Sequence, residues 1–434
     1  MALKQQVKYT IGKESSVAPG TAVARTAIIP IRDIGSLDRD ITKKTDPLIA
    51  GLGMDVGEYA VAGDVKGSIP LSPRPCTGWG HILKGMFETE GTPAEIVGVI
   101  RIKYTGSSES CKITTSLGGK TITSAIGALG AESADAAFGT DGVIDTLSAA
   151  TDKVGEVVSV IEAYADYECT LVTGAVGTAV VSVVQDTYQA KGKYAFLFLT
   201  GVSTGAYLHR FNPDLTLGTE RNPYSVQVDG VGDNRLYDGI VFNKLSLSAA
   251  LKADLEGEVE VLGMGETIGQ EASVLTAPTA KPYKFGGGFT SIAGTKYSYV
   301  RKHAFSFDNG HNADGYGQDE IDRVYQQRGK FVADGSMTLR LDSTSVAERP
   351  KCEAGTKLAV QAYYFEVENS FLLSVAGLML IEMPYAEISE QPKVEANGDA
   401  LDIGIKFKAF NPGSATDYED PVYVSVLTAD SAAY

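Results

Sequence analysis

One string in the chain has the form of a nucleophilic catalytic turn. Gly201-Val-Ser-Thr-Gly205 is a GxSxG that follows the apolar run Tyr194 to Leu199. In that form a serine sits on a strand-to-helix turn, beneath backbone amides that hold an oxyanion. Ser203 would be the nucleophile, with His303 or His311 as general base by chain order. The strand is present in the pattern but the helix is not. Asn212-Pro213 arrives soon after, and Tyr207-Leu-His-Arg-Phe211 has no amphipathic run. Without its helix the string reads as a loop.

The other constellations fail on spacing. Asp308-Asn-Gly-His-Asn-Ala-Asp-Gly315 offers oxygen ligands but not in the order of a calcium loop, and reads as a long polar loop after a strand. The four histidines, His81, His209, His303 and His311, form no HExxH pair. Gly51-Leu-Gly53 and Gly263-Met-Gly265 do not extend to GxGxxG, and there is no phosphate-loop lysine pattern. Cys76, Cys111, Cys169 and Cys352 include no CxxC, which argues against zinc and against a dense disulfide scaffold. A Cys111–Cys169 disulfide is open on placement, with free buried thiols the simpler reading. Glu256, Glu258 and Glu260 could supply paired carboxylates for glycoside hydrolysis. Their spacing of two, however, puts all three on one wet face of a strand. No catalytic site, cofactor or metal is expected.

Composition narrows the classes further. The 434 residues allow two to three domains. Lys plus Arg number 38 and Asp plus Glu 54, a formal charge of −16. A protein that grips nucleic acid or anionic lipid over a broad surface carries the opposite sign. The opening Met1-Ala-Leu-Lys-Gln-Gln lacks the apolar stretch of a secretory signal. The run Phe371 to Ile381 is too short to span a bilayer. A soluble protein made in the cytoplasm is expected.

The elements that would position these residues are strands. In Phe331 to Leu341, Phe331, Ala333, Met337, Leu339 and Leu341 take one face while Asp334, Ser336, Thr338, Arg340 and Asp342 take the other. Val241, Leu245, Leu247, Ala249 and Leu251 oppose Lys244, Ser246, Ser248 and Lys252, and Leu255, Val259 and Val261 oppose Glu256, Glu258 and Glu260. Leu401, Ile403, Ile405 and Phe407 oppose Asp402, Lys406 and Lys408. Such two-sided strands build antiparallel sandwiches or barrels, so the chain is expected to be mainly β. An internal repeat is visible. Tyr59–Leu71 resembles Lys330–Leu341 around Gly-Ser-(Ile/Met)-x-Leu, and Tyr237–Ser248 is matched with Ser298–Asp308. From about Pro93 to Leu199 the composition changes to Ala, Gly, Ser, Thr and Val, with a helix expected at Val154, Val157, Val158 and Ile161, capped by Thr151. This reads as an inserted small α+β or β domain.

Taken in order, the pieces resemble the tail tube proteins of long, non-contractile-tailed (siphovirus-type) bacteriophages, in their larger two-domain version. The resemblance is carried by Gly67-Ser-Ile-Pro-Leu-Ser-Pro-Arg-Pro-Cys76 with Gly80-His-Ile-Leu-Lys-Gly-Met-Phe87, then Tyr237-Asp-Gly-Ile-Val-Phe-Asn-Lys-Leu-Ser-Leu247, Phe305-Ser-Phe-Asp-Asn309, Lys330–Leu339, and Glu382–Glu387 leading into Leu401–Phe410. It covers most of Ala24–Phe87 and Asn222–Phe410, leaving the insert outside the common pattern. It implies two antiparallel β-sandwich or barrel tube domains, each with a short helix. The first is 58–92 with 206–284, and the second is 285–434 with a C-terminal tail. The insert, 93–205, would be a decoration domain. Residues 1–57, polar and irregular in pattern, would be an N-terminal arm against a neighbouring subunit or ring.

The resemblance also implies a role in the virion tail: rings stacked into a hollow tube through which DNA leaves the capsid. Three two-domain chains would give a ring with pseudo-sixfold symmetry; otherwise six chains are needed. Tape measure protein, tail terminator and baseplate proteins are the implied partners, with double-stranded DNA in transit and unbound. Glu256, Glu258, Glu260, Asp334 and Arg340 are candidates to face the lumen, where negative charge would repel phosphate. Another virion assembly protein (terminator, baseplate or hub component, surface-layer subunit) shares the composition, as do a β-rich serine hydrolase using Ser203 and a carbohydrate-binding adhesin.

Overall fold

The structure, a computed structural model, describes residues 7–15, 19–45, 58–116, 118, 120–146, 148–202, 204–215, 222–230, 233–311, 329–366, 377–397, 400–411 and 420–434. It is mainly β. The centre is an antiparallel wall of eight strands, labelled in chain order: β1 (Asp38–Thr45), β2 (Glu58–Leu71), β3 (Arg235–Ala250), β4 (Glu256–Gly263), β5 (Val300–Asp308), β6 (Val332–Arg340), β7 (Leu378–Asn397) and β8 (Ala400–Ala409). Their spatial order is β1-β2-β4-β3-β5-β6-β8-β7.

The wall has one dry and one wet face, as period-2 alternation requires. Val65, Ile69, Leu71, Leu245, Leu247, Val259, Val261, Phe305, Phe307, Met337, Leu339, Ile403, Ile405 and Phe407 are all buried in one core. The alternation fails at strand ends. Leu251 lies in the turn after β3 and is 49% exposed, and at the start of β8 Leu401 is 50% exposed while Asp402 is buried, 3.7 Å from Arg301 Nε.

Behind the dry face lies a second layer. The N-terminal half of β3 leaves the wall to pair with Tyr224–Asp229 and Gly265–Ile268, and Lys8–Lys13 continues that sheet. The N-terminal half of β7 leaves in the same way to pair with Leu358–Glu366 and Tyr423–Thr428. Between the layers runs α1 (Thr77–Phe87), in which Trp79, Ile82, Leu83, Met86 and Phe87 are fully buried. Among the described residues the second half has the short helices α3 (Ser343–Val346) and α4 (Arg349–Glu353); the Asp342 carboxylate caps α3 by accepting from the amides of Thr344 and Ser345.

The repeated strand order corrects one sequence pairing. The order β1-β2-β4-β3 recurs as β5-β6-β8-β7, so β2 corresponds to β6, as the Gly-Ser-(Ile/Met)-x-Leu match expects. Tyr237–Ser248, however, lies in β3, whose counterpart is β7, while Ser298–Asp308 covers β5, the counterpart of β1. Alternation alone cannot tell one two-sided strand from another; the ladder partners can. Gly67 and Gly335 fall at equivalent places, and both need to lack a side chain. A Cβ at Gly67 would lie 2.6 Å from the Leu37 backbone, and one at Gly335 would run into the Phe407 ring.

Part of the segment read as irregular, residues 1–57, supplies strands. Lys8–Lys13 is held between Tyr224–Asp229 and Ala27–Ile28, and β1 pairs with β2. Tyr9 and Ile11 are buried, but the strand is too short for its period to stand out. Residues 94–200 carry a separate core. There, Tyr167–Gly174, Ala94–Tyr104 and Ala195–Thr200 form one sheet, Ser110–Ser116 and Thr121–Ala128 centre another, and α2 (Val154–Glu162) packs on them through Val154, Val157 and Ile161. The helix begins at Lys153, whose amide donates to Glu156, while Thr151 bonds Ser148 and the Asp145 carbonyl instead of capping. Cys111 and Cys169 are free, buried thiols, and burial pushes them up to about 11 and about 12.

Two expected outcomes follow from the packing. Gly85 faces the rings of Phe242 and Tyr224. Gly85→Ala would gain about 1 kcal/mol of helix propensity but overpack this contact at about 1–3 kcal/mol, so thermal melts are expected to show a lower midpoint. A midpoint above wild type would refute the close packing. His303, on the dry face of β5, joins the layers through Thr290 Oγ1 at 2.7 Å and Tyr364 Oη at 2.8 Å. Burial holds its imidazole down at about 3. The unfolded chain takes up this proton below about pH 6.5 and the native chain does not, so stability is full above that pH and falls as pH drops toward 3. In denaturant titrations, His303→Gln should lose less stability between about pH 7 and about pH 4.5 than wild type; an unchanged difference would exclude His303 as a source.

Candidate functional site

Residues directly opposite in an antiparallel ladder share a face, so the register maps the wet side of the wall. Glu258 lies opposite Ser246, Ser246 opposite Ser306, Ser306 opposite Asp334, and Asp334 opposite Lys408. The next row runs Glu256, Ser248, Ala304, Ser336, Lys406 and Glu390. On the other side, Glu260 lies between Ser68 and Lys244, and Lys244 faces Asp308. The five residues singled out from the sequence therefore share one face. Glu256, Glu258 and Asp334 line a common recess of about 420 Å³ with Ser246, Ser248, Ser306, Ser336 and Lys406. Glu260 and Arg340 do not line it; Arg340 sits at the end of β6 opposite Asp402, with its guanidinium 5.7 Å from the Tyr299 ring.

The sequence reading placed Lys244, Ser246, Ser248, Ser336, Lys406 and Lys408 on wet strand faces without assigning them to the site, and it missed Arg32. Arg32, on the segment before β1, forms an ion pair with Glu256. Lys244 reaches Glu260 at 3.7 Å, Lys406 reaches Glu390 at 3.0 Å, and Lys66 lies 3.6 Å from Asp64. Lys406 and Lys408 were visible as the wet side of β8, but only the ladder brings them beside Ser336 and Asp334. These pairs are exposed and contribute little to stability. The middle of the face carries small neutral hydroxyls, and carboxylates predominate on β1, β2 and β4.

The arrangement is a surface and not a reaction centre. Carboxylates and hydroxyls alternate along open rows, with no nucleophile held against a base. Ser203 lies outside the described residues, as do Gly51–Gly53 and Asn312–Gly315 of the oxygen-rich run. His303, one of the two bases considered for Ser203, has both ring nitrogens engaged within the core. Among the described residues no group of His, Cys, Asp and Glu is arranged to hold a metal, and no helix is long and apolar enough to cross a membrane.

No curated protein matches the chain. A profile of the family described as phage tail tube protein matches residues 4–401, a span that includes the wall up to the start of β8, the second layer apart from Tyr423–Thr428, and the 93–205 segment. With that match over most of its length and a mainly β fold, the chain belongs to the phage tail tube protein family, a structural and non-enzymatic component of the virion tail.

Proposed function

We propose that copies of this chain close into rings and that the rings stack into the hollow tube of a long, non-contractile tail. The wet face of the wall lines the channel through which double-stranded DNA leaves the capsid. The observation that carries this reading is the wall itself: eight strands, dry on one side against a continuous core and wet on the other, with small hydroxyls between charged rows. The carboxylates gathered on β1 and β4 would repel phosphate, and Lys406 on β8 is already paired with Glu390. Glu256, Glu258, Glu260, Asp334 and Arg340 are the side chains assigned to the channel.

The recurrence of strand order supports two tube domains per chain, one of 58–92 with 206–284 that also takes in β1 from the N-terminal segment, the other 285–434, and hence a ring of three chains with pseudo-sixfold symmetry. The 93–205 domain then decorates the outside. Tape measure, terminator and baseplate proteins are the further partners that the family resemblance implies, with synthesis in the host cytoplasm. Negative-stain microscopy of the concentrated protein is expected to show tubes or stacked rings of uniform width with threefold rings. Sixfold rings would overturn the two-domain count, and closed rings that never stack would point to a terminator. In assembled virions, changing Glu256, Glu258 and Glu260 to lysine should slow DNA ejection; unchanged ejection kinetics would remove them from the lumen.

A further inference from the structure

In the wall the two four-strand groups meet along β3 and β5. One ladder leaves the angle between them adjustable, because the turn from one strand to the next ranges over roughly −10 to −35° in sheets. A second tie, set back by the ~10 Å that separates packed layers, removes that freedom. We propose, resting on the ring reading above, that the 93–205 domain and the segment 423–434 form a brace across the joint between the two tube domains, and that this brace fixes the curvature with which the wall closes into a ring. The 93–205 domain thereby has a task besides decoration.

The first tie is a strand shared by both halves. Tyr423–Thr428 pairs along one edge with residues 379–382 of β7 and along the other with residues 207–211 of Tyr207–Pro213. Tyr207–Pro213 pairs in turn with Glu88–Glu90, directly after α1. Residues 430–434 then run into the first half. Thr77, at the start of α1, donates to the Asp430 carboxylate at 3.2 Å. The Asp430 carbonyl can only accept, so His209 Nε2 donates to it at 2.8 Å, and Nδ1 is left to Glu90 Oε1, also at 2.8 Å. The Tyr434 amide donates to Glu90 Oε2 at 3.0 Å. The Tyr434 ring is 7% exposed and lies 4.5 Å from the His209 ring, and a Cβ at Gly80 of α1 would run into it. A side chain that follows the last-named strand of the second half thus completes the core around the helix of the first.

The second tie is the 93–205 domain, which the chain joins to the first half at both ends and which packs on the second. Gln361, in Leu358–Glu366 of the second half, accepts from the Tyr194 amide at 3.0 Å and donates to the Tyr194 carbonyl at 2.6 Å, and both residues are buried. Beside this two-way bond Phe289 stacks on Tyr363 with ring centroids 5.0 Å apart, and Tyr194 meets Phe289 edge-on at 5.2 Å. A change of angle between the halves would pull Gln361 from Tyr194 and leave a buried amide and a buried carbonyl without partners, which is far costlier than shifting an exposed contact.

Electron microscopy of rings and tubes assembled from the full chain tests the brace through their width. Wild type should give one width. Tyr434→Ala at one tie and Gln361→Ala at the other should each lose that single width, adding wider and narrower rings and open arcs, in preparations whose far-UV circular dichroism stays native. Tyr207→Cys with Thr428→Cys lie directly opposite in the shared ladder, at a Cα separation that suits a disulfide. Added to Tyr434→Ala, this pair should restore one width under oxidation and lose it again under reductant. Folded variants at wild-type width would overturn the brace and leave the tube reading standing. If an alanine variant fails to fold, Tyr434→Phe is scored in the same way; it keeps the ring and removes the Oη bonds to Asp430 at 2.7 Å and Thr428 at 3.1 Å. A wild-type chain that forms neither rings nor tubes at any concentration would overturn the ring reading, and the role of the brace with it.

Discussion

From Lys244 to Ser248, β3 is paired with β4 on one side and with β5 on the other, and most of the molecule depends on that double pairing. Buried backbone amides and carbonyls must find partners, and a sheet edge left open is a liability. The β3–β5 ladder removes two edges at once and turns two groups of four strands into one wall. The wall then has a single dry face, and a single core can form behind it. α1 fills the space behind the first group, which explains why almost none of its surface reaches water. In the second group, Tyr297 bonds Glu348 beside the short helices and Tyr364 bonds His303.

The legible parts of this fold were those where one face meets core and the other meets water. β6 could be read residue by residue because Ala333, Met337 and Leu339 go in while Asp334, Thr338 and Arg340 stay out. α1 could be read because Ile82, Leu83, Met86 and Phe87 recur at helical spacing. β1 could not: Asp38–Thr45 holds one large apolar residue, Ile41, and its strand character comes from ladder bonds to β2. The partner of each strand was also hidden, since alternation records a face and not a neighbour. That is why Tyr237–Ser248 was matched to the wrong strand. At the candidate surface the carboxylates were visible as a spacing of two, whereas Arg32 arrives from a distant segment that no local pattern connects to Glu256.

The apolar run Tyr194 to Leu199 shows the opposite case, a strand buried on both sides. Ala195, Leu197 and Leu199 point into the core of the 94–200 segment, while Tyr194, Phe196 and Phe198 pack with Phe289, Tyr363 and Leu380 of the second layer. Arg101 closes this second contact, its guanidinium 4.3 Å from the Phe289 ring. The 94–200 segment is therefore attached through an aromatic interface as well as through its two chain connections.

The bulges at Asn243 and Ser389 have a mechanical consequence. Each lies a few residues inside the wall from the point where a long strand passes out of the second layer, and adds to its bend. Sliding one layer across the other would load the covalent backbone of β3 and β7 along its length, and would have to break their rungs together in shear instead of one after another. The two layers are thus tied by continuous chain at two points, and resistance to axial strain does not rest on side-chain packing alone.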